Sequence, residues 1–327
     1  QMSLYDDALE AFGMVSSLDD LCAVAWYNKA DVLCSLKRFN ESVPAFERAL
    51  ELSPGMQDAA YKKGVALETI GRYEESVAAF DMALSIGPEN GYLHYHRGNA
   101  LMAAGHDKDS LISLNRSIEL TPDDADIWLA RGQALYKLKY FNDAILAFDK
   151  TLELKPGSAD AAYGRGLELS ALGYDDDAIG AYEKTLALDP SFTDAAYNKG
   201  LALFRTGRYK DAIKAFDYTL ENVPEHAYAH YHKGLVLKAT AKYEKAIRSF
   251  SQAFIFDSSL TDAIFQSGLS FVSLGKNEKA LDAFDTVLEK EPDNAPALYQ
   301  RASVLVKLLR FEEALGALES SLSLESG

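Results

Sequence analysis

The chain has 327 residues, of which 48% are hydrophobic, 11% aromatic and 25% charged, and its 33 Lys and Arg against 49 Asp and Glu give a net charge of −16. This composition excludes wholesale disorder, and the length alone suggests about two globular domains. The negative charge argues against nucleic acid or an anionic membrane as the main partner, because both bind cationic surfaces. No apolar run approaches the ~18 residues of a membrane span, no signal peptide is visible, and two cysteines are too few for a disulfide scaffold or a cysteine-based zinc site.

Prolines recur at a fixed interval, which replaces the two-domain estimate with an array of repeats. Seven of the nine prolines follow it: Pro54, Pro88, Pro122, Pro156, Pro190, Pro224 and Pro292. The first six are 34 residues apart and the last gap is 68, with Ser258 at the skipped position. Such a period predicts a stacked helical solenoid. With Pro54 at the thirty-second place, nine repeats begin at Ala23, Gln57, Gly91, Ala125, Ala159, Thr193, Ala227, Thr261 and Ala295.

The first predicted element, residues 4–17, matches only the second half of a repeat, with Tyr5, Ala8 and Phe12 in phase. At the other end, Gly327 falls at the thirty-third place of the ninth repeat and no polar helix follows it. Because repeat arrays normally need polar caps, we expect the chain to be a segment of a longer protein. A trimmed or short natural N-terminus is the alternative.

Each complete repeat then predicts two helices. The first covers places two to fourteen, for example Asp58 to Ile70, and ends before a glycine such as Gly71. The second runs from the eighteenth place to the proline, for example Glu74 to Ile86. Glycine at the eighth place of seven repeats, Ala or Ser at the twentieth place and a mostly aromatic twenty-fourth place predict close packing of the two helices. The chain is therefore expected to be all-α, with no strand.

These residues resemble the tetratricopeptide repeat family, and the stretch A-A-Y-K-K-G-V-A-L-E-T-I-G-R-Y-E-E-S-V-A-A-F-D-M-A-L-S-I-G-P from Ala59 to Pro88 is a compact example. The resemblance covers almost the whole chain. It implies one continuous right-handed superhelical α-solenoid of stacked antiparallel helix hairpins, formed by residues 23–327, with 1–22 as the second helix and linker of a truncated repeat. Lys29 stands where the family usually has an apolar seventh residue.

In such a solenoid the first helices line the concave side, and places two, five, six, nine, twelve and thirteen form one stripe. The fifth place reads Tyr27, Tyr61, Tyr95, Leu129, Tyr163, Tyr197, Tyr231, Phe265 and Tyr299. Tyrosine offers large contact area at low rotamer cost and suits a peptide-binding surface. The alternative interpretation is that these rings pack against the neighbouring repeat.

Polar residues on the same stripe are candidate anchors for a ligand. We select Asn28, Lys62, Asn198 and Arg205, and also His96 and His232 from two H-Y-H triplets at 94–96 and 230–232. His94 and His230, at the fourth place, are expected to pack between helices as Trp26 and Trp128 do. Residues two apart on a helix point to roughly opposite sides, so neither triplet is expected to bind a metal.

Signals for other functions are absent from the sequence. No phosphate-binding, dinucleotide-binding, zinc-protease or nucleophile-elbow motif occurs, so we expect no enzymatic activity, no cofactor and no metal. Some family members bind the acidic C-terminal tail of a chaperone through Lys, Asn and Arg. That clamp needs Lys at a fifth place, where this chain has only Tyr, Leu or Phe, so we expect no such binding.

We therefore interpret the sequence as a protein-interaction scaffold, expected in the cytoplasm, that binds a peptide or helix of an unidentified protein partner in its concave groove. One alternative is a recruitment or regulatory segment of a larger enzyme. Another is a structural array that associates with itself through its uncapped ends. The side chains that determine specificity vary freely within a fold, so the sequence does not name the partner.

Overall fold

The computed structural model describes residues 2–325, and the side chains of residues 2–4, 16–17 and 323–325 are not described. Gln1 and Gly327, at the ends of the predicted array, lie outside the described residues. Within the described part there are nineteen helices and no strand. In chain order they are α1 (Met2–Leu18), α2 (Ala23–Ser35), α3 (Phe39–Leu52), α4 (Gln57–Thr69), α5 (Tyr73–Ile86), α6 (Gly91–Ala103), α7 (Asp107–Leu120), α8 (Ala125–Lys137), α9 (Phe141–Leu154), α10 (Ala159–Ala171), α11 (Asp175–Leu188), α12 (Thr193–Arg205), α13 (Tyr209–Asn222), α14 (Ala227–Ala239), α15 (Tyr243–Phe256), α16 (Thr261–Ser273), α17 (Asn277–Lys290), α18 (Ala295–Lys307) and α19 (Phe311–Glu325).

The predicted all-α fold of helix hairpins is confirmed. Even-numbered helices are the first helices of the repeats and begin at the first place, and odd-numbered helices from α3 onward are the second helices and begin at the seventeenth. Both therefore start one residue earlier than the sequence predicts. The first helices end at the thirteenth place, because the backbone turns at the fifteenth.

That turn is left-handed in every complete repeat. Five glycines at the fifteenth place have φ between 70° and 86°. Four repeats have a residue with a side chain there, and it adopts φ of 56° to 61°; these are Lys37, Lys139, Ala241 and Leu309. Glycine adopts this conformation without steric cost, whereas a Cβ makes it unfavourable. The turn is thus a property of the repeat and not of glycine alone.

The predicted close approach within a hairpin is also present. A Cβ placed on Gly64 would lie 2.6 Å from the Phe80 ring, and one on Gly200 would lie 2.6 Å from Phe216. Ser76 at the twentieth place donates a hydrogen bond from its Oγ to the Gly64 carbonyl at 2.8 Å. Glycine at the eighth place therefore makes room for the aromatic ring at the twenty-fourth, and the small twentieth residue lies beside it.

The chain divides into two compact units, unit 1 (residues 1–168) and unit 2 (residues 169–327). The core of unit 1 is built around Phe46, Phe80 and Phe148, which are at most 2% exposed. Phe216, Phe250 and Phe284 are fully buried and take the same role in unit 2. None of the described helices is long and apolar enough to cross a bilayer.

Candidate binding face on the first helices

We call the surface formed by places two, five, six, nine, twelve and thirteen of the first helices the first-helix face. It contains cavities. In unit 1 a cavity of about 450 Å³ lies across α4, α6 and α8. Its lining includes residues from places two, five, six, nine, twelve and thirteen, among them Glu68, Tyr95, Asn99, Met102, Asp126, Leu129 and Gln133. The stripe derived from helical spacing thus borders a common concavity.

The rings of the fifth-place tyrosines pack inside their own repeats. Tyr61 lies 6.0 Å from Phe80 and Tyr197 lies 6.0 Å from Phe216, measured between ring centroids. Tyr27, Tyr95, Tyr163, Tyr231 and Phe265 are likewise partly buried, and only Tyr299 is exposed, at 57%. Tyr61 and Tyr197 also contact the sixth-place histidine of the next repeat, at 5.6 and 5.7 Å, so these rings pack both within a repeat and against its neighbour.

The hydroxyl groups connect neighbouring repeats. Tyr27 donates to the Asp58 carboxylate and Tyr231 donates to Asp262, in each case to the second place of the next repeat. Burial first and then these carboxylates raise the pKa of both tyrosines above the ordinary value of 10. These two hydroxyl groups thus remain protonated donors, and each bond links one repeat to the next.

The charged anchors that the sequence selects are already paired within the chain. Lys62 Nζ lies 2.7 Å from Asp31 and 3.6 Å from Asp58, and 5.1 Å from the centroid of the Tyr27 ring. Arg205 Nη2 donates to Asp175 Oδ1 and to Ser170 Oγ, both at 2.6 Å, which places its head group at the edge of the face. Asn28 and Asn198 are partly buried at the sixth place.

The two sixth-place histidines lie among the tyrosines. His96 Nδ1 is 3.0 Å from Glu68, and its ring stacks on Phe80 at 5.9 Å. His232 Nδ1 lies 2.8 Å from the Tyr228 carbonyl oxygen and 3.1 Å from the Tyr197 hydroxyl. A carbonyl oxygen only accepts, so Nδ1 carries a hydrogen. Burial lowers the pKa of His232, which keeps this ring neutral at pH 7.

The two fourth-place histidines differ in their contacts, and only the His230 ring has the predicted packing, since it stacks on Phe256 of α15 at 5.5 Å. His230 Nε2 donates to the Pro224 carbonyl at 2.9 Å, and Trp128 Nε1 makes the equivalent bond to Pro122 at 2.8 Å. His94 instead contacts Glu89 at 2.8 Å. No group of three or more His, Cys, Asp or Glu in the described part of the chain is arranged to hold a metal ion.

Sequence reasoning missed a ladder of ion pairs on the other side of the first helices. Lys29 is not an isolated departure, because eight of nine repeats have a basic seventh residue: Lys29, Lys63, Arg97, Arg131, Arg165, Lys199, Lys233 and Arg301. Six of these pair with the acidic residue sixteen positions earlier, at 2.5–2.9 Å, as in Lys199–Glu183. Opposite charges at a constant separation of sixteen were the available signal. The ladder joins repeats and is not part of the first-helix face.

Sequence reasoning also missed Tyr92 and Tyr228, which replace the acidic residue usual at the second place. They are 53% and 50% exposed, more than any predicted aromatic residue of the face except Tyr299. Tyr92 lines a cavity of about 280 Å³ together with Asp58 and Tyr61. The signal was a pattern longer than the H-Y-H triplet, since Tyr92 and Tyr228 stand two residues before the first histidine of each triplet.

A buried carboxyl group at the tenth place escaped notice as well. Glu168 is fully buried, and neither of its oxygens has a hydrogen-bond partner. Burial raises the pKa of Glu168 to about 7. The same place holds Val32, Ala66, Ala100, Ala134, Ala202, Val236, Ser270 and Val304 in the other repeats. This exception would have been visible in an aligned set of the nine repeats.

Family models and solved structures agree with this geometry. A tetratricopeptide repeat model matches residues 1–56, 27–91, 163–226, 197–258 and 265–324, and two further repeat models match 98–139 and 125–158. No curated protein matches the chain.

Three solved structures illustrate the likeness. YrrB, described as a TPR protein with an unusual peptide-binding site, is 28% identical with a TM-score of 0.53 over 59% of this chain and 99% of its own. MamA is 26% identical with a TM-score of 0.50 over 52% and 93%. The C-terminal part of a repeat protein from Cytophaga hutchinsonii is 16% identical with a TM-score of 0.61 over 73% and 98%, which shows the fold alone.

Proposed function

Because the chain belongs to the tetratricopeptide repeat family, we propose that it is a non-enzymatic scaffold whose first-helix face binds a peptide or helical segment of a partner protein. The observation that carries this proposal is the pair of tyrosine-lined cavities on that face, of about 280 and 450 Å³ in unit 1. The likeness to YrrB, a protein described as having a peptide-binding site, supports it.

Binding would use the exposed edge of the face and leave the packed rings in place. Tyr92, Tyr136 and Tyr228 are between 46% and 53% exposed and belong to the second and twelfth places. Such side chains lose little conformational entropy when a partner covers them, and they contribute both apolar area and a hydroxyl group. The partly buried tyrosines at the fifth place hold the surface on which the partner lies.

The test is to compare the proteins captured by the wild-type chain with those captured by a triple variant, Tyr92→Ala, Tyr136→Ala and Tyr228→Ala. These residues are exposed, so the variant should keep its helical content by circular dichroism. The matched control is Tyr140→Ala with Tyr174→Ala, which are 50% and 57% exposed but stand at the sixteenth place, in the turns between helices.

We expect the triple variant to lose the partners that wild type and control retain, as quantified by mass spectrometry of the captured proteins. If the triple variant and the control capture the same proteins in the same amounts, the first-helix face is not the binding surface and the proposal is wrong.

A further inference from the structure

Two parts of the first-helix face repeat the same residues four repeats apart. Asp58, Tyr61, Tyr92, Tyr95 and His96 in unit 1 correspond, 136 positions later, to Asp194, Tyr197, Tyr228, Tyr231 and His232 in unit 2. We call these two sets the unit 1 site and the unit 2 site. A shared set of an acid and several aromatic residues suggests that both sites recognise the same kind of group.

The unit 1 site shows what this arrangement looks like. Asp58, Tyr61 and Tyr92 line its cavity of about 280 Å³, together with Gln57, Asn90 and Leu93. Tyr92 is half exposed, and so is the Asp58 side chain. A carboxylate beside the faces and edges of aromatic rings suits a cation, which the ring quadrupole attracts in addition to the charge.

The chain itself supplies a cation to the unit 1 site. Lys62, one turn after Asp58, lies 3.6 Å from that carboxylate, and its Nζ is 5.1 Å from the centroid of the Tyr27 ring. Its Nζ is nearer to Asp31, at 2.7 Å, so this lysine is shared between two carboxylates and compensates each of them in part. It also shows that an ammonium group is compatible with the aromatic and acidic surroundings on this face.

The unit 2 site lacks that cation. The residue one turn after Asp194 is Asn198, which is uncharged, and the ion pairs among the described residues include Asp58–Lys62 and Asp126–Lys155 but none with Asp194. Asp194 and Tyr228 are both exposed. Tyr197 and Tyr228 are near enough that Tyr228, after burial, contributes to raising the pKa of Tyr197 to about 12. Asp194 stands three residues before Tyr197 on α12, so the two share one side of that helix. The site therefore combines a carboxylate that has no ion pair among the described residues with two tyrosines.

From this difference we propose that the unit 2 site, formed by Asp194, Tyr197 and Tyr228, receives a Lys or Arg side chain from the partner segment, which pairs with Asp194 as Lys62 pairs with Asp58. The proposal rests on the proposed function, because it names the chemistry of the partner bound by the same face. The proposal specifies one basic residue of the partner segment. The contacts of its other residues would depend on the other repeats.

The ninth-place residues, which form the floor of the first-helix face, are consistent with this assignment in unit 2. Leu201, Leu235 and Leu269 occupy the ninth place of three successive repeats and are only partly buried. A segment with apolar side chains over these leucines and a basic side chain at Asp194 would match both features. We therefore expect an amphipathic basic segment and not an acidic tail.

The test uses the full chain labelled with 3-fluorotyrosine and observes the ¹⁹F resonance of Tyr228, assigned by its loss in Tyr228→Phe. The probes are Nα-acetyl-lysine methylamide and its uncharged counterpart Nα-acetyl-norleucine methylamide. We expect the lysine probe to shift the Tyr228 resonance in a saturable way, with association about fivefold or more stronger than for norleucine, the size of a cation–aromatic contact.

Three variants provide the controls. Asn198→Lys copies the unit 1 site and should weaken the lysine response at least fivefold, and Asp194→Asn should do the same without adding a side chain. Lys62→Asn should give Tyr92 a lysine response that it lacks in the wild type. Equal responses to the two probes, or a response unchanged by Asn198→Lys, would overturn the assignment.

These outcomes are separate from those of the capture experiment. If the tyrosine triple variant loses its partners while the Tyr228 resonance ignores the lysine probe, the face binds proteins but the unit 2 site does not recognise a cation. If the triple variant keeps all its partners, the proposed function itself fails.

Discussion

On the first-helix faces of both units most fifth places are tyrosine, but the ninth-place residues, which form the floor of the face, differ. The ninth places of unit 1 are Asp31, Val65, Asn99, Gln133 and Leu167, whereas those of unit 2 are Leu201, Leu235, Leu269 and Ser303, so the polar residues predominate in unit 1 and leucine in unit 2. The tyrosines are held by packing on the twenty-fourth residue in both units. The difference teaches that the repeat fixes the framework of the face while the floor remains free to change its chemistry.

The charged residues of the first-helix face also differ between the two units. Unit 1 contains Lys62 paired with Asp31 and His96 in contact with Glu68, so its polar groups largely satisfy one another. The sixth places of unit 2 are Asn198, His232, Gln266 and Gln300, and none of them carries a fixed charge. Unit 2 keeps one such pair, Arg205 with Asp175, at the edge of the face, while its ninth places beside Asp194 are largely apolar.

The largest expected effect concerns the tenth place, where unit 1 has the buried Glu168 and unit 2 has Ala202. Replacing Ala202 by Glu should lower the free energy of unfolding by about 3 kcal/mol at pH 8, because it buries a charge without a partner. The measurement is urea unfolding followed by circular dichroism. A cost below about 0.5 kcal/mol, the size of an ordinary surface substitution, would mean that the tenth place is less enclosed than the structure shows.

The reciprocal change, Glu168→Ala, should stabilise unit 1 in a pH-dependent way. The pKa of Glu168 in the folded chain is about 7 against an ordinary value of 4.5, so the folded state binds the proton more tightly. The free energy of unfolding of wild type therefore falls as the pH rises from about 4.5 to 7 and stays low above that. The stabilisation by Glu168→Ala should be about 2 kcal/mol larger at pH 8 than at pH 4.5. A stabilisation of equal size at both pH values would contradict the burial of an ionisable carboxyl group.

A swap at the ninth place tests the difference between the floors directly. Asn99 and Leu235 are equivalent positions, 136 residues apart. Leu235→Asn should lower the free energy of unfolding by about 1–2 kcal/mol, since this half-buried leucine belongs to the core around Phe250. Asn99→Leu should cost less than 1 kcal/mol or stabilise, because it adds apolar area to a partly buried position. If both changes cost the same, the two floors do not differ in their apolar environment.

Substitutions at the fifteenth place should change the free energy of unfolding equally in the two units. Lys139 in unit 1 and Ala241 in unit 2 both adopt positive φ in a turn that five other repeats make with glycine. Replacing either by Gly should raise the free energy of unfolding by about 1 kcal/mol by removing the Cβ strain, after the entropy of glycine in the unfolded chain is counted. The check is thermal and urea unfolding of each single variant, with Gly207→Ala as the opposite change. Opposite signs for Lys139→Gly and Ala241→Gly would show that the turn is not equivalent in the two units.

Much of the framework could be predicted from the sequence because it depends on positions that recur in every repeat. The glycine at the eighth place, the aromatic residue at the twenty-fourth and the proline at the thirty-second specify hairpins of nearly constant length, and the observed helices start within one residue of the prediction. The turn at the fifteenth place was predictable only where the residue is glycine. In the other four repeats the hairpin imposes the left-handed conformation on residues that do not favour it.

The candidate site was harder to predict from the sequence, because its hydrogen bonds and ion pairs join residues of different repeats. The local sequence around Tyr27 does not predict that its hydroxyl group donates to Asp58. It also does not predict that Lys62 pairs with both Asp31 and Asp58. Glu168 and Tyr228 stand out only when equivalent places are compared. Tertiary pairing thus decides which polar residues of a periodic face remain available to a partner.

The smallest expected effect concerns the ladder of ion pairs, which has a gap in unit 2. Lys233 and Asp217 form one rung at 2.5 Å, whereas the next rung would join Ser267 and Ser251. The double variant Ser251→Asp and Ser267→Lys should add a rung and raise the free energy of unfolding by about 0.5 kcal/mol, because a partly exposed ion pair is screened by solvent. The single variants should not do so, and the gain should diminish in 1 M salt. A double-mutant cycle measures the coupling, and a coupling near zero would show that the rungs accompany the stacking of repeats without stabilising it.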